Sequence, residues 1–344
     1  MRLRRDDPIE VKSPAQLAVM REAGLVTAAA LRAVSDAVEP GISTADLDAI
    51  AERAIRAAGA VPSFKGYFGF PATICTSVNE QIVHGIPSAE QVLRQGDVLS
   101  VDCGAIVHGW HGDSALTLRV GAAGHDDPGQ PGRYSREELA GLLQACELAL
   151  WHGLAQAAPG RRLTDISHAV EQAARRAGQY GIIREYTGHG IGTRMHMDPP
   201  VPNYGRAGRG PVLVPGMALA IEPMLVLGSP QTAVLADDWT VVTVDGSWAA
   251  HFEHTVAVTE DGPVVLTAED GGAAGFAALS AAAGRPVAAG RPAAAARPAA
   301  AARPATAALP ATAALRLGLR HAPPEQVGAR IATATAAEGA PDGV

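Results

Sequence analysis

Laying Pro40-Gly41 on Pro159-Gly160 brings two stretches of this chain into register: Asp46 meets Asp165, Leu47 meets Ile166, Glu52 meets Glu171, Ala54 meets Ala173, Ala58 meets Ala177 and Gly59 meets Gly178. Each stretch reads as a helix, with a polar start at Thr44 or Thr164, apolar residues at helical spacing and a terminal glycine suited to a left-handed cap. After a shift of one residue, Gly96-Asp97-Val98-Leu99-Ser100-Val101-Asp102 resembles Gly216-Met217-Ala218-Leu219-Ala220-Ile221-Glu222, each a strand ending in a carboxylate. A third pair follows, His111-Gly112-Asp113 against His251-Phe252-Glu253. Three coincidences in one order imply two similar α/β halves about a pseudo-twofold axis. Acids from both halves then converge.

The other elements fit that frame. Ser13 begins a helix with Pro14 at its first position and Gln16 three residues on, and Ser135 begins another with Glu138 in the capping-box position. Residues 73–78, 98–102, 114–120, 217–221 and 251–259 read as strands joined by short glycine-containing turns, which makes their pairing largely antiparallel. After Asp270 the composition changes: the last 74 residues hold 30 Ala and 8 Pro, with proline recurring at 286, 292, 298, 304 and 310. Such prolines stop the alanines from joining into one helix, so a tail without fixed structure is expected. The domain plan is therefore an N-terminal segment at 1–12, a catalytic body at 13–268 and an Ala/Pro-rich tail at 269–344.

Charge and apolar patterning narrow the partners. The 28 basic and 35 acidic residues give a net charge of −7, so no global positive field marks a nucleic-acid binder. The tail carries 7 Arg against 3 acids, leaving the body at (28 − 7) − (35 − 3) = −11. The stretch from Met217 to Leu227 is interrupted by Glu222 and Pro223, well short of the roughly 20 apolar residues a membrane span needs. Three cysteines, Cys75, Cys103 and Cys146, form no CxxC pattern and fit a reducing compartment. The expected location is the cytoplasm.

Four acids sit in apolar strand contexts: Asp102 in LSVDCG, Asp113 in HGDSAL, Glu222 in ALAIEPM and Glu253 in AHFEHTV. One such acid is ordinarily a salt-bridged strand residue, but four need a common cation, since the only lysines are Lys12 and Lys65. His189 in GHGIG completes an O,O,O,O,N set, suited to Mn, Co, Fe or Zn. Five donors exceed one tetrahedral ion, and two bridged divalent ions use them naturally. The GHGIG run lacks the glycine spacing and the βαβ acid of a nucleotide loop. His84 in IVHGIP and His196 in RMHMD are weaker signals, each more often packing than chemistry when met alone.

The ordered set VNEQIVHGIP, SVDCGAIVHGWHGDSA, TGHGIG, IEPM and FEHT resembles methionine aminopeptidase, type I, over about 13–267. The resemblance implies the duplicated pita-bread fold, a mainly antiparallel curved sheet covered by helices, and removal of N-terminal methionine, preferably before a small second residue. It implies two divalent metal ions, with Asp102 chelating one, Asp113 and Glu253 bridging both, and His189 and Glu222 completing the other. Glu222 becomes the proton shuttle. His84 and His196 divide substrate orientation and oxyanion stabilisation between them, in an order left open. Phe64, Tyr67, Phe70, Cys75, Met195 and Trp239 fall at the methionine pocket, and Thr193-Arg194 departs from the family's glycine-like pattern beside His196. Implied partners are the N-termini of nascent polypeptides, with transient ribosome association, no membrane and a monomeric chain.

Competing readings make different demands. Prolidases and Xaa-Pro aminopeptidases share the metal core but carry a large N-terminal domain, whereas here the first helix begins near Ser13. Type II methionine enzymes insert a helical segment between the last two acids, which are 31 positions apart in this chain. A non-catalytic pita-bread binding protein commonly lacks the ligands, and a dinuclear phosphoesterase can use a similar donor set.

Overall fold

A computed structural model describes residues 9–121 and 133–283. The chain divides into two units, Met1–Arg297 and Pro298–Val344, and every described residue lies in the first. Its centre is a nine-stranded sheet. In chain order these strands are β1 (Val61–Pro62), β2 (Ile74–Val78), β3 (Val98–Val107), β4 (Trp110–Arg119), β5 (Gly188–Gly190), β6 (Met197–Val201), β7 (Ala218–Ile221), β8 (Glu253–Thr259) and β9 (Gly262–Val265). Their spatial order is β1-β3-β4-β8-β7-β5-β6, with β2 also paired to β3 and β9 to β8. Every pairing is antiparallel.

The duplication read from the sequence is visible in this order. Helices α1 (Pro14–Ala37) and α2 (Thr44–Ala57) belong to the first half and α3 (Arg136–Leu154) and α4 (Leu163–Ala177) to the second. The central strands run β3-β4 from one half and β8-β7 from the other, so the halves meet at the β4–β8 seam. Each half keeps its own apolar core. One gathers Leu31, Leu47, Ile55, Ile74, Leu99 and Val101, and the other Leu142, Leu150, Ile166, Leu219, Ile221 and Val256. Two threonines close the seam between them. Thr255 Oγ1 accepts from Asp113 N at 3.1 Å and donates to Asp113 O at 2.8 Å, while Thr117 Oγ1 accepts from His251 N at 2.8 Å and donates to His251 O at 2.6 Å.

Local chemistry explains the elements. Ser13 and Ser135 cap α1 and α3 with reciprocal bonds from Gln16 and Glu138, as the capping-box spacing predicts. The repeat-related Asp46 and Asp165 do one job twice, each accepting the backbone N–H of the residue before its helix, Ser43 or Arg162. Helix α1 lies so close to β4 that a Cβ on Gly112 would come within 2.5 Å of Gly24 N, which excludes any side chain there.

Four expectations need correction. The first repeat helix starts at Thr44 as expected, but the second starts at Leu163, one residue before Thr164; Ser43 and Arg162 precede them. Gly59 is left-handed with φ 74°, but Gly178 is extended with φ 169°; glycine is required there because a Cβ would meet the Tyr180 ring at 2.7 Å. The single strand expected over 251–259 is broken at Phe252, where the chain changes partners: Ala249–His251 pairs with Met224–Val226, and β8 pairs with β4 and β7. The packed body also exceeds 13–268. Lys12 is buried and bonded through its backbone to Gly216, Ile9 packs on the second core, and helix α5 (Ala273–Ala283) carries Phe276 into that same core. One aromatic, edge-on to Trp151 at 5.5 Å, overrides an alanine-rich composition. The proline repeat from 286 lies outside the described residues.

Stability measurements test this boundary. Phe276→Ala should cost about 3 to 5 kcal/mol in urea denaturation, and a chain ending at 270 should lose at least as much. A chain ending at 283 should keep full stability; a loss there comparable to that of the shorter chain would contradict the assignment.

Candidate metal centre

Strand ends and breaks place the acids. Asp102 lies within β3 and Asp113 within β4, Glu253 opens β8, and Glu222 follows β7 directly, where Pro223 ends the strand. The register sets Asp102 beside Ala115 and Ala115 beside Glu253, while His189 of β5 lies beside Ala220 of β7. Both chain breaks, at Glu222-Pro223 and at Phe252, fall at one crease, where Phe252 N donates to Pro223 O at 3.3 Å. Side chains from four strands therefore enter one space from both halves.

Ligand atoms of Asp113, His189 and Glu253 all lie within 4.8 Å of one another, and all three residues are buried. Glu222 joins them, with Oε1 at 3.5 Å from His189 Nε2 and Oε2 at 3.6 Å from His251 Nε2. His189 Nδ1 stands 3.0 Å from Gly190 O. A carbonyl only accepts, so Nδ1 carries the proton and Nε2 turns its lone pair into the site, the tautomer a metal ligand needs.

The electrostatics are those of acids short of a cation. Burial pushes Asp102 up to about 7, with Glu222 adding to it against the pull of His251. Burial alone pushes Glu222 up to about 8. Asp113 and Glu253 rise well above the usual carboxylate range, first through burial and then through the neighbouring acids. Burial also lowers His189 to about 3. Asp102 Oδ1, Asp113 Oδ1, Glu253 Oε1 and His251 Nε2 are buried with no hydrogen-bond partner among the described residues. The two lysines are engaged elsewhere, Lys12 with Glu10 and Lys65 with Glu52. Orphaned oxygens converging beside an imidazole lone pair fit divalent cations and no neutral partner of this chain.

The remaining predicted residues surround this cluster. The His196 ring packs on His189 at 4.4 Å, and its Nδ1 lies 2.8 Å from the Tyr67 hydroxyl. His84 is held at φ 60°, a left-handed conformation that few non-glycine residues adopt. Its ring stands edge-on to Tyr186 and Trp239. Phe64, Phe70, Cys75 and Met195 form one buried apolar cluster, with Tyr67 and Trp239 packed against it. Thr193 is exposed and donates to Glu10 Oε2 at 2.7 Å.

The sequence reading missed four contributors. Ala72 and Ile86 complete the apolar cluster, and no pattern of their own marks them. Asn203 donates to the Glu222 backbone carbonyl at 3.0 Å, a contact between residues that only folding brings together. His251 faces Glu222, and its signal was present in the repeat, where it matches His111; His111 Nδ1 itself lies 3.1 Å from Ser63 Oγ.

Comparison with known proteins agrees with this arrangement. Residues 18–260 match the profile of metallopeptidase family M24. Methionine aminopeptidase 1 of Mycobacterium tuberculosis is 51% identical over 271 residues, covering 77% of this chain and 97% of that protein. Methionine aminopeptidase 1 of Bacillus subtilis is 50% identical over 256 residues, covering 74% and 98%. Among solved structures, methionine aminopeptidase from Thermotoga maritima superposes with a TM-score of 0.71 at 40% identity, covering 76% of this chain and all of that one. Prolidase from Pyrococcus furiosus, at 22% identity and a TM-score of 0.55 over 75% of this chain and 65% of its own, shares the fold alone. The protein is thus a member of metallopeptidase family M24 and, within it, of the methionine aminopeptidases.

Proposed function

We propose that this chain removes the N-terminal methionine of new polypeptides, preferably before a small second residue, with two divalent ions held between its halves. The observation that carries this is the convergence of Asp113, His189 and Glu253 ligand atoms within 4.8 Å. Asp102 would hold one ion, Asp113 and Glu253 would bridge both, and His189 with Glu222 would hold the other. When bound, the ions supply Lewis-acid polarisation of the scissile carbonyl and a water acidic enough to deprotonate near neutral pH.

The chain's own groups do the rest. The methionine side chain, long, unbranched and polarisable, enters the cluster of Phe64, Phe70, Cys75, Met195, Tyr67 and Trp239, where sulfur and aromatic faces suit it. Glu222 takes the proton of the attacking water and passes it to the departing amine, a task that calls for a carboxylate raised toward neutrality. The Tyr67 hydroxyl lies 2.8 Å from His196 Nδ1; with the hydroxyl as donor, the imidazole proton would sit on Nε2, available to the carbonyl oxygen as negative charge develops. His84, fixed by its strained backbone, orients the peptide main chain.

The same reading gives the chain nascent polypeptides as substrates, ribosomes as their source and the cytoplasm as its location. Three buried cysteines with free thiols suit that compartment. Among the described residues, no helix is long and apolar enough to cross a membrane. The chain is proposed to act as a monomer.

After chelation and reloading with Mn, Co, Fe or Zn in turn, Met-Ala-Ser should release free methionine, and Glu222→Gln should abolish this; binding without cleavage would point to a peptide-binding protein instead. Asp113→Ala and Glu253→Ala should lose stoichiometric metal on elemental analysis. His196→Ala should retain metal while kcat falls by about 10² to 10³, and loss of metal in this variant would assign His196 to the ion shell.

A pH series provides a separate check. In chelated protein Glu222 titrates at about 8 and Asp102 at about 7, both above their ordinary carboxylate values. Between about pH 6.5 and 8 the folded chain therefore binds protons that the unfolded chain has released, and its stability falls as pH rises through that window. The buried histidines, all lowered, act only below their unfolded value near 6.5. Saturating Mn²⁺ should raise Tm more at the upper end of this window than at the lower. Equal increments would contradict the cation-deficient description.

A further inference from the structure

Asp113 and Glu253, the acids assigned to bridge the ions, each have a chain neighbour that faces the other way. Strand alternation puts Ser114 and His254 on the opposite face of the sheet, and the register pairs these two residues directly across the seam between β4 and β8. Ser114 Oγ donates to Glu253 O at 2.7 Å and lies 3.3 Å from His254 Nδ1. The single hydroxyl hydrogen goes to that carbonyl, so Ser114 can only accept from His254, and the imidazole proton stands on Nδ1. Thr267 Oγ1, 2.8 Å from the same nitrogen, accepts from Thr255 N at 3.2 Å. Three polar side chains thus brace the back of the strand that carries Glu253.

What holds His254 comes from the end of the body. Its ring stands edge-on to Trp151 of α3, with centroids 5.4 Å apart, and Trp151 meets Phe276 of α5 in the same way at 5.5 Å. The α5 backbone presses on the indole, since a Cβ on Gly275 would come within 2.4 Å of that ring. Asp270 starts this helix by accepting from Gly272 N and Ala274 N at 2.8 and 2.7 Å. Helix α5 lies past residues 18–260, the stretch that matches the family, and it carries none of the candidate ligands.

We propose that His254 and Trp151, backed by α5, are positioning residues that hold the Glu253 carboxylate where the ions need it. The inference rests on the two-ion reading and gives that site an outer wall built from the end of the body. Glu253 opens β8 beside the break at Phe252, so regular pairing restrains it from its C-terminal side only, and the bonds behind it fix the rest. Loss of a group that orients a metal ligand typically weakens metal binding about 10- to 100-fold. The wall therefore acts on the ions without touching them.

The test is isothermal titration of the chelated full chain with Mn²⁺, which reads affinity without turnover, and thermal melts verify that each variant is folded at the titration temperature. His254→Ala and Trp151→Ala should weaken Mn²⁺ binding about 10- to 100-fold, with Phe276→Ala changing it in the same direction. His254→Asn, whose amide N–H can take the place of Nδ1–H, and Trp151→Phe should recover most of the loss. Ile55→Ala opens a cavity in the core of the other half and lowers stability as well, yet it should leave the affinity unchanged. Unaltered affinity in His254→Ala and Trp151→Ala would overturn the proposal and leave the two-ion reading standing. Equal weakening in Ile55→Ala would overturn it too, because lost stability alone would then account for the effect. No Mn²⁺ binding by the unaltered chain would instead sink the two-ion reading, and this proposal with it.

Discussion

Repulsion among buried carboxylates governs this molecule. Asp102, Asp113, Glu222 and Glu253 share one water-poor space, and each is pushed up by burial, most of them further by the others. Folding gains nothing from such a grouping by itself, because unpaired charge in a low-dielectric interior costs several kcal/mol per group. Two resolutions exist: the acids take up protons, or they share cations. Protons would leave oxygens without partners, as Asp102 Oδ1, Asp113 Oδ1 and Glu253 Oε1 are here. Cations use those oxygens, and with them the imidazole lone pair that Gly190 O directs inward.

The architecture follows from where these acids must stand. Each half of the duplicated chain folds around its own apolar core, with α1 and α2 over one and α3 and α4 over the other. Those cores fix strands firmly enough to hold like charges together at the seam where β4 meets β8. Breaks at Pro223 and Phe252 then leave Glu222 just past the end of β7 and Glu253 at the first paired position of β8, beside the shared space. Rigid halves with a creased junction keep the oxygens close without letting them relax apart.

Much of this was legible in the letters. The match of Asp102 to Glu222 and of Asp113 to Glu253 anticipated convergence, because a repeat places equivalent residues about one axis. The pocket residues from Phe64 to Trp239 were found through resemblance, and they form one cluster. Other features were hidden for physical reasons. The break at Phe252 leaves an apolar run that reads as a single strand, since partner exchange is decided by neighbours remote in sequence. Asn203 against Glu222 is a contact of that kind. Phe276 is a lone ring in an alanine-rich stretch, and composition averages it away although its burial decides where the body ends. His251 was visible in the repeat as the partner of His111, yet only its approach to Glu222 gives it a place in the site.

Anomalous diffraction from crystals grown with Mn²⁺ tests the central claim most directly. The account predicts two peaks about 3.5 to 4 Å apart, with Asp113 and Glu253 between them and His189 on one side. A single peak outside this cluster, or side chains of the four acids turned apart with no ion in common, would contradict it.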